Sequence, residues 1–261
     1  MTLRPLALAL ALALSACATT PAADTAPAAP AAAAPQPGER AAQLSQLYAD
    51  YWDASLALNP LNATFVGDPR YNDQMPDFFA AEFRAKEAAF NREWLGRAQA
   101  IGSDGLQGQD LLSYEIFVRE LELEIEAERF PDWMQPLNQF YNVTGLFAQL
   151  GSGSSAQPFK TVQDYDNWRK RGTRIPELFD TSIANSREGM KSGVVQPRAL
   201  MAKVLPQLDA LIKAKAEDTL FWAPVKNLPS SFSDADKARI TAEYRQMIEG
   251  ELMPAYKRLR S

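Results

Sequence analysis

An all-α fold is predicted by three features of the sequence. Between residues 39 and 261 leucine occurs 23 times, against 16 for valine and isoleucine together, a balance that favours helix over sheet. Apolar residues recur there at three- and four-residue spacings, the mark of one buried helix face. Helix-start chemistry, Thr161-x-x-Asp164 and Ser233-Asp234, stands in front of such stretches. The expectation is an irregular helical domain of about six helices with one long irregular loop and no repeat of solenoid period.

The first helix is expected from about Glu39 to Leu58, with Leu44, Leu47, Tyr48, Tyr51 and Trp52 on one face and Asn59-Pro60 ending it. The second runs from about Asp77 to Ala100 and carries Phe79, Phe83, Phe90 and Trp94. After the Gly102-to-Gly108 loop a third runs from about Gln109 to Arg129, with Leu111, Tyr114, Val118, Leu121 and Ile125 as its apolar stripe. Periodicity then lapses between Phe130 and Phe159, where Pro131, Pro136, Gly145 and Gly151-Ser-Gly-Ser-Ser155 mark the long irregular segment. Thr161 opens a fourth helix through Tyr165, Trp168, Ile175 and Phe179, with a kink at Pro176, and Gly189 and Gly193 end it. Pro197 opens a fifth, kinked at Pro206. Ser233 or Asp234 caps a sixth with Ile240, Tyr244, Ile248, Leu252 and Leu259.

The N-terminus is read as a processing signal. Arg4 and the Leu6-to-Leu14 run, too short to span a bilayer, precede Leu14-Ser15-Ala16-Cys17, which resembles a bacterial lipobox. The organisation expected is therefore a signal peptide over 1–16, a lipidated Cys17 with a tether over 17–38, and a helical domain over 39–261. Residues 18–38 hold ten Ala and five Pro, a composition that forms a semi-rigid spacer rather than a core. At about 3.1 Å per residue it reaches up to about 65 Å. Ala18 in place of Asp fits an outer-membrane destination, so the domain is expected on the bacterial envelope, lipid-anchored and facing the periplasm. Without residues 1–16 the chain carries 26 basic and 32 acidic residues. That balance argues against nucleic acid as a partner.

The chain has no His and one Cys. A Ser-His-Asp triad, a Cys-His pair, a His-ligated metal, a Cys-ligated zinc and an internal disulfide cannot be built from it alone. No catalytic and no metal-ligating residue is assigned. The acidic run Glu120, Glu122, Glu124, Glu126 and Glu128 reads as a solvated helix face, and Gly151-to-Ser155 lacks the Lys-Ser/Thr that a phosphate loop needs. The densest polar turn is Gly67-Asp68-Pro69-Arg70-Tyr71-Asn72-Asp73. Gly67 and Pro69 make the turn and Asp68 can bond the next backbone N–H groups. Arg70 and Tyr71 are the candidates to recognise a carboxylate or peptide group in a cleft.

That turn, read with Leu58-Asn59-Pro60 before it, resembles the start of a bacterial family known as DUF885. Pro158-Phe-Lys-Thr161, the Gly189-to-Pro197 turn, the Leu200-to-Leu211 helix and Met253-Pro-Ala-Tyr256 extend the resemblance across roughly residues 40 to 261. The family resembles largely helical zinc metallopeptidases with the metal motif in a C-terminal half. The resemblance implies that this chain is the N-terminal, non-metal-binding part of such a fold, incomplete at its C-terminus and inactive alone. Zinc is expected only in the absent half. A peptide ligand and a complementing C-terminal half are the partners implied, besides the membrane. The other reading is a self-sufficient, non-catalytic helical lipoprotein that binds or scaffolds at the envelope.

Overall fold

Amphipathic leucine- and aromatic-rich stretches fold here as helices and, among the described residues, no strand forms. The computed structural model describes residues 37–140 and 142–261; Cys17, the motif around it and the tether through residue 36 lie outside them. The elements are α1 (Pro37–Leu58), α2 (Pro60–Phe65), α3 (Ala81–Ile101), α4 (Gly108–Ala127), α5 (Val143–Gly151), α6 (Val162–Gly172), α7 (Ile175–Ser192), α8 (Arg198–Leu211), α9 (Ala223–Lys226), α10 (Asp234–Gln246) and α11 (Met253–Arg260). Short 3-10 turns join several of them.

The first core lies between α1, α3 and α4. Leu47, Trp94, Ala98 and Leu121 are its buried centre, flanked by Tyr48, Tyr51, Phe90 and Phe117. Arg40, at the start of α1, donates to the carbonyls of Ile101 and Asp104 at the end of α3, which sets the two helices antiparallel. Trp52 departs from the expected face: it is 52% exposed. It follows Tyr51 by one residue, a step of about 100° around a helix, which carries it out of the seam.

The second core collects α5 to α11 around Phe147, Trp168, Phe179, Phe221, Tyr244 and Tyr256. Three buried tyrosines each donate to a carbonyl of another segment: Tyr165 to Pro224 (3.1 Å), Tyr244 to Tyr165 (3.0 Å) and Tyr256 to Thr144 (2.7 Å). These bonds give buried hydroxyls the partners that burial demands.

More helices form than the six expected. The long irregular segment contains α5, whose sequence Val-Thr-Gly-Leu-Phe-Ala-Gln-Leu-Gly is short and mostly apolar, with only Gly145 and Gln149 exposed, so little periodicity shows in it. Gly151 belongs to it as a packing residue: a Cβ there would come within 2.5 Å of both the Trp168 and Phe221 rings. The expected kink at Pro176 is a break between α6 and α7, with Pro176 in the first turn of α7, where its missing N–H costs no bond. Pro206 sits inside α8 without ending it. The Thr161 capping box forms as expected, with Asp164 N–H to Thr161 Oγ1 at 3.2 Å and Thr161 N–H to Asp164 Oδ2 at 2.8 Å. Ser233 caps α10.

Between α10 and α11 the chain winds through a π-helical turn, Met247–Leu252. Pro254 accounts for it. A proline in an α-helix loses its own N–H bond and pushes against the carbonyl four residues back, here Gly250. Widening the turn relieves that contact.

Burial raises the pKa of the Tyr165, Tyr244 and Tyr256 hydroxyls above the ordinary value. A group with a raised folded-state pKa stabilises the fold fully below its unfolded pKa of about 10 and loses that contribution as pH rises further. Arg171, buried and pushed down to about 10, works in the opposite direction. With three tyrosines against one arginine, stability should fall above pH 10. Tyr244 and Tyr256 are expected to ionise only as helical circular dichroism is lost. Complete phenolate absorbance while the helical signal is intact would contradict their burial.

Candidate functional site

The polar turn singled out in the sequence packs on the α1–α2 junction. Asp68 Oδ1 accepts from the Arg70 backbone N–H at 3.0 Å, as its turn chemistry requires. The Arg70 guanidinium is engaged twice within the protein, by Asp68 Oδ2 (2.8 Å to Nε) and by Asp53 Oδ1 of α1 (2.9 Å to Nη2). The same contact holds the Asp68 carboxyl below its usual pKa. Arg70 also lies 5.4 Å from the centre of the Tyr71 ring. Arg70 and Tyr71 are thus brought together, but an incoming carboxylate has to compete with two already in place.

Beneath that turn is a residue the sequence reading did not single out. Arg171, at the end of α6, is fully buried. Its guanidinium donates to the carbonyls of Gln74 (3.0 Å), Tyr71 (2.8 Å) and Pro60 (3.3 Å), to Thr64 Oγ1 (2.9 Å) and to Gln157 Oε1 (2.6 Å). The Thr64 hydroxyl in turn donates to Asn72 Oδ1 at 2.7 Å. All five acceptors are neutral. Removal from water without a bonded carboxylate lowers the Arg171 pKa to about 10, and Asp73 opposes this from nearby. Arg171 therefore pins the loop 60–74 to α6 and sets where Arg70 and Tyr71 stand. Helical spacing gave no signal for it: Arg169, four residues after Tyr165, lies at least as near the Tyr165–Trp168–Gly172 face as Arg171 does.

The apolar concavity of interest lies elsewhere. Met134 and Leu137, the α7 residues Ile183 and Met190, Val194 and Val195 after α7, Met201 of α8 and Leu259 of α11 enclose a groove of about 430 Å³. Met190 is 71% exposed and Val195 53%, so large apolar side chains face solvent at its rim. The turn after α7 builds one wall. Gly193 ends the helix in the left-handed region (φ +77°), and the Val194 N–H returns to the Gly189 carbonyl at 2.9 Å. Gly189 is required for the fit: a Cβ there would lie 2.5 Å from the Val194 carbonyl oxygen and 2.8 Å from that of Met134. Gln196 Nε2 donates to Gln135 Oε1 (2.7 Å) across the groove's edge. Arg258 beside it is held by Asp180. Arg187, also on the rim, has no ion-pair partner among the described residues.

Nothing in the groove resembles an acid, base or nucleophile set. Among the described residues no group of three or more His, Cys, Asp or Glu is placed to hold a metal ion. Nor, among them, is any helix long and apolar enough to cross a membrane. The described residues form an all-α body with an apolar concavity beside α7. The family model of bacterial proteins of unknown function, DUF885, matches residues 60–261, and the chain belongs to that family. The match takes in the Arg70 turn, Arg171 and every wall of the groove. No curated protein matches the chain.

Proposed function

We propose that this family member is a lipid-anchored protein of the bacterial envelope whose helical body binds a polypeptide segment in the groove beside α7. The exposed apolar rim at Met190 and Val195 carries the reading, because apolar patches edged by polar groups mark binding surfaces. The lipobox-like motif ending at Cys17 supports the anchor, with the outer membrane facing the periplasm as its location. The segment bound would come from a peptide ligand or from a polypeptide that supplies the metal-binding half of a metallopeptidase-like fold. A self-sufficient scaffold is the second reading. It is favoured by the complete burial of Ala255 and Tyr256, which closes the core around α11 without help from another chain.

Full-length protein made in a bacterial host should enter the detergent phase on Triton X-114 partition, and Cys17→Ser should move it to the aqueous phase. The purified protein should bind an environment-sensitive hydrophobic dye, and the paired change Met190→Lys with Val195→Lys should abolish most of that signal without loss of helix. A cooperatively folding monomer that binds no dye would favour the scaffold reading over the groove.

A further inference from the structure

A second groove, sharing no residue with the first, runs between α1 and α4. The aromatic side chains of the two helices meet across it: Phe117 has the Tyr48 ring at 5.1 Å and the Tyr51 ring at 4.9 Å. The space left outside that contact is about 520 Å³, with Tyr48, Tyr51 and Trp52 on one side and Ile116 and Phe117 on the other. Trp52 and Ile116 are each 52% exposed. The lining extends from Ser113 to Glu124 along α4, about 16 Å at 1.5 Å per residue.

Glu120 and Glu124 stand at its edge. Neither carboxylate is ion-paired among the described residues, and Tyr51 faces both. Across α4, Glu87 of α3 has its pKa raised by burial and by Glu124. Arg92 and Arg97 of α3 and Arg70 pair with Glu128, Asp50 and Asp53 around the same helices, but among the described residues none of them is ion-paired to Glu120 or Glu124. The negative charge is regional. Helix α1 carries three acidic and one basic residue, and α4 six acidic and one basic, giving the pair a net charge of −7 where the whole chain has −5. The single base of α1, Arg40, is spent on carbonyls at the far end of the bundle. The Tyr48 hydroxyl is buried at the groove wall with no hydrogen-bond partner among the described residues.

Exposed aromatic faces beside unneutralised carboxylates are complementary to a cation on an apolar stem. A small ammonium ion would leave Trp52 and Ile116 uncovered and fill little of a 16 Å groove. From this charge and shape we infer that the α1–α4 groove docks a basic amphipathic segment of a partner protein. Its Lys or Arg side chains would lie over Tyr51 and Trp52 and end on Glu120 and Glu124, and its apolar residues would cover Ile116 and Phe117.

Fluorescence anisotropy of the full chain with a labelled helical Leu/Lys peptide tests this. Saturable binding is expected, at least about tenfold tighter than to the matching Leu/Glu peptide. Both Trp52→Ala and the pair Glu120→Gln with Glu124→Gln should weaken it about tenfold, with helical circular dichroism unchanged because these side chains are exposed. Weakening should not follow from the Met190→Lys and Val195→Lys pair, which separates this site from the groove beside α7. Equal binding of the two peptides, indifference to the glutamine pair, or sensitivity only to the α7 variants would overturn the inference. So would choline binding that depends on Trp52 in the absence of any peptide binding, which would make this a small-cation site.

Discussion

Arg171→Ala should be the most damaging single change outside the aromatic core, at about 3–5 kcal/mol. The side chain is fully buried and satisfies five acceptors at once. Each buried acceptor left without a donor costs about 1–3 kcal/mol, less where water can enter. Lysine would recover part of this at most, because a compact ammonium with three donors cannot reach a guanidinium's spread of acceptors. Urea denaturation followed by circular dichroism checks the magnitude. Hydrogen exchange checks the location, since protection should fall first over residues 60–74. A loss under about 1 kcal/mol would show that the loop is held by its own turn bonds rather than by Arg171.

Gly189→Ala is the second large effect, and it links stability to the groove. The added Cβ meets backbone carbonyls of Met134 and Val194 rather than the end of a flexible side chain, so whole segments must shift. Overpacking of this kind costs about 1–3 kcal/mol. Because both segments are groove walls, dye binding beside α7 should change together with stability. Gly250→Ala, whose Cβ would enter open space, is the control: it should leave dye binding unchanged and raise stability slightly, by up to about 1 kcal/mol. Reduced stability with unchanged dye binding would mean that the groove does not depend on the α7 turn.

The contrast between these glycines shows what was legible from sequence. Helices α1, α3 and α4 were readable to within a few residues because each is about twenty residues long, enough for the three- and four-residue spacing to repeat. Helix α5 was not, since its nine residues leave the spacing little room to repeat and its two glycines resemble breakers. Gly151 and Gly189 are small because distant segments approach them, and sequence spacing carries no record of that approach. The polar turn at Gly67–Asp73 was legible as a turn through Asp68 and Pro69. The buried cation beneath it was hidden among three consecutive basic residues, of which only Arg171 points inward. Trp52 was placed on the wrong face because Tyr51 and Trp52 are adjacent and only one of two neighbours can enter a helix seam.

The π turn sets what the final helix can tolerate in length. Ile240, Tyr244, Ile248, Leu252 and Tyr256 are all buried and stand at steps of four. In an uninterrupted α-helix each step of four overshoots a full revolution by about 40°, so the fifth residue would have drifted about 160° from the first. One extra residue in the winding takes back about 100° of that drift. Met247–Leu252 therefore works as a register correction. Losing a single residue there would leave a helix of ordinary pitch with Tyr256 still facing the core, whereas winding the full-length stretch as plain α-helix would turn Tyr256 about 100° out of the core it closes.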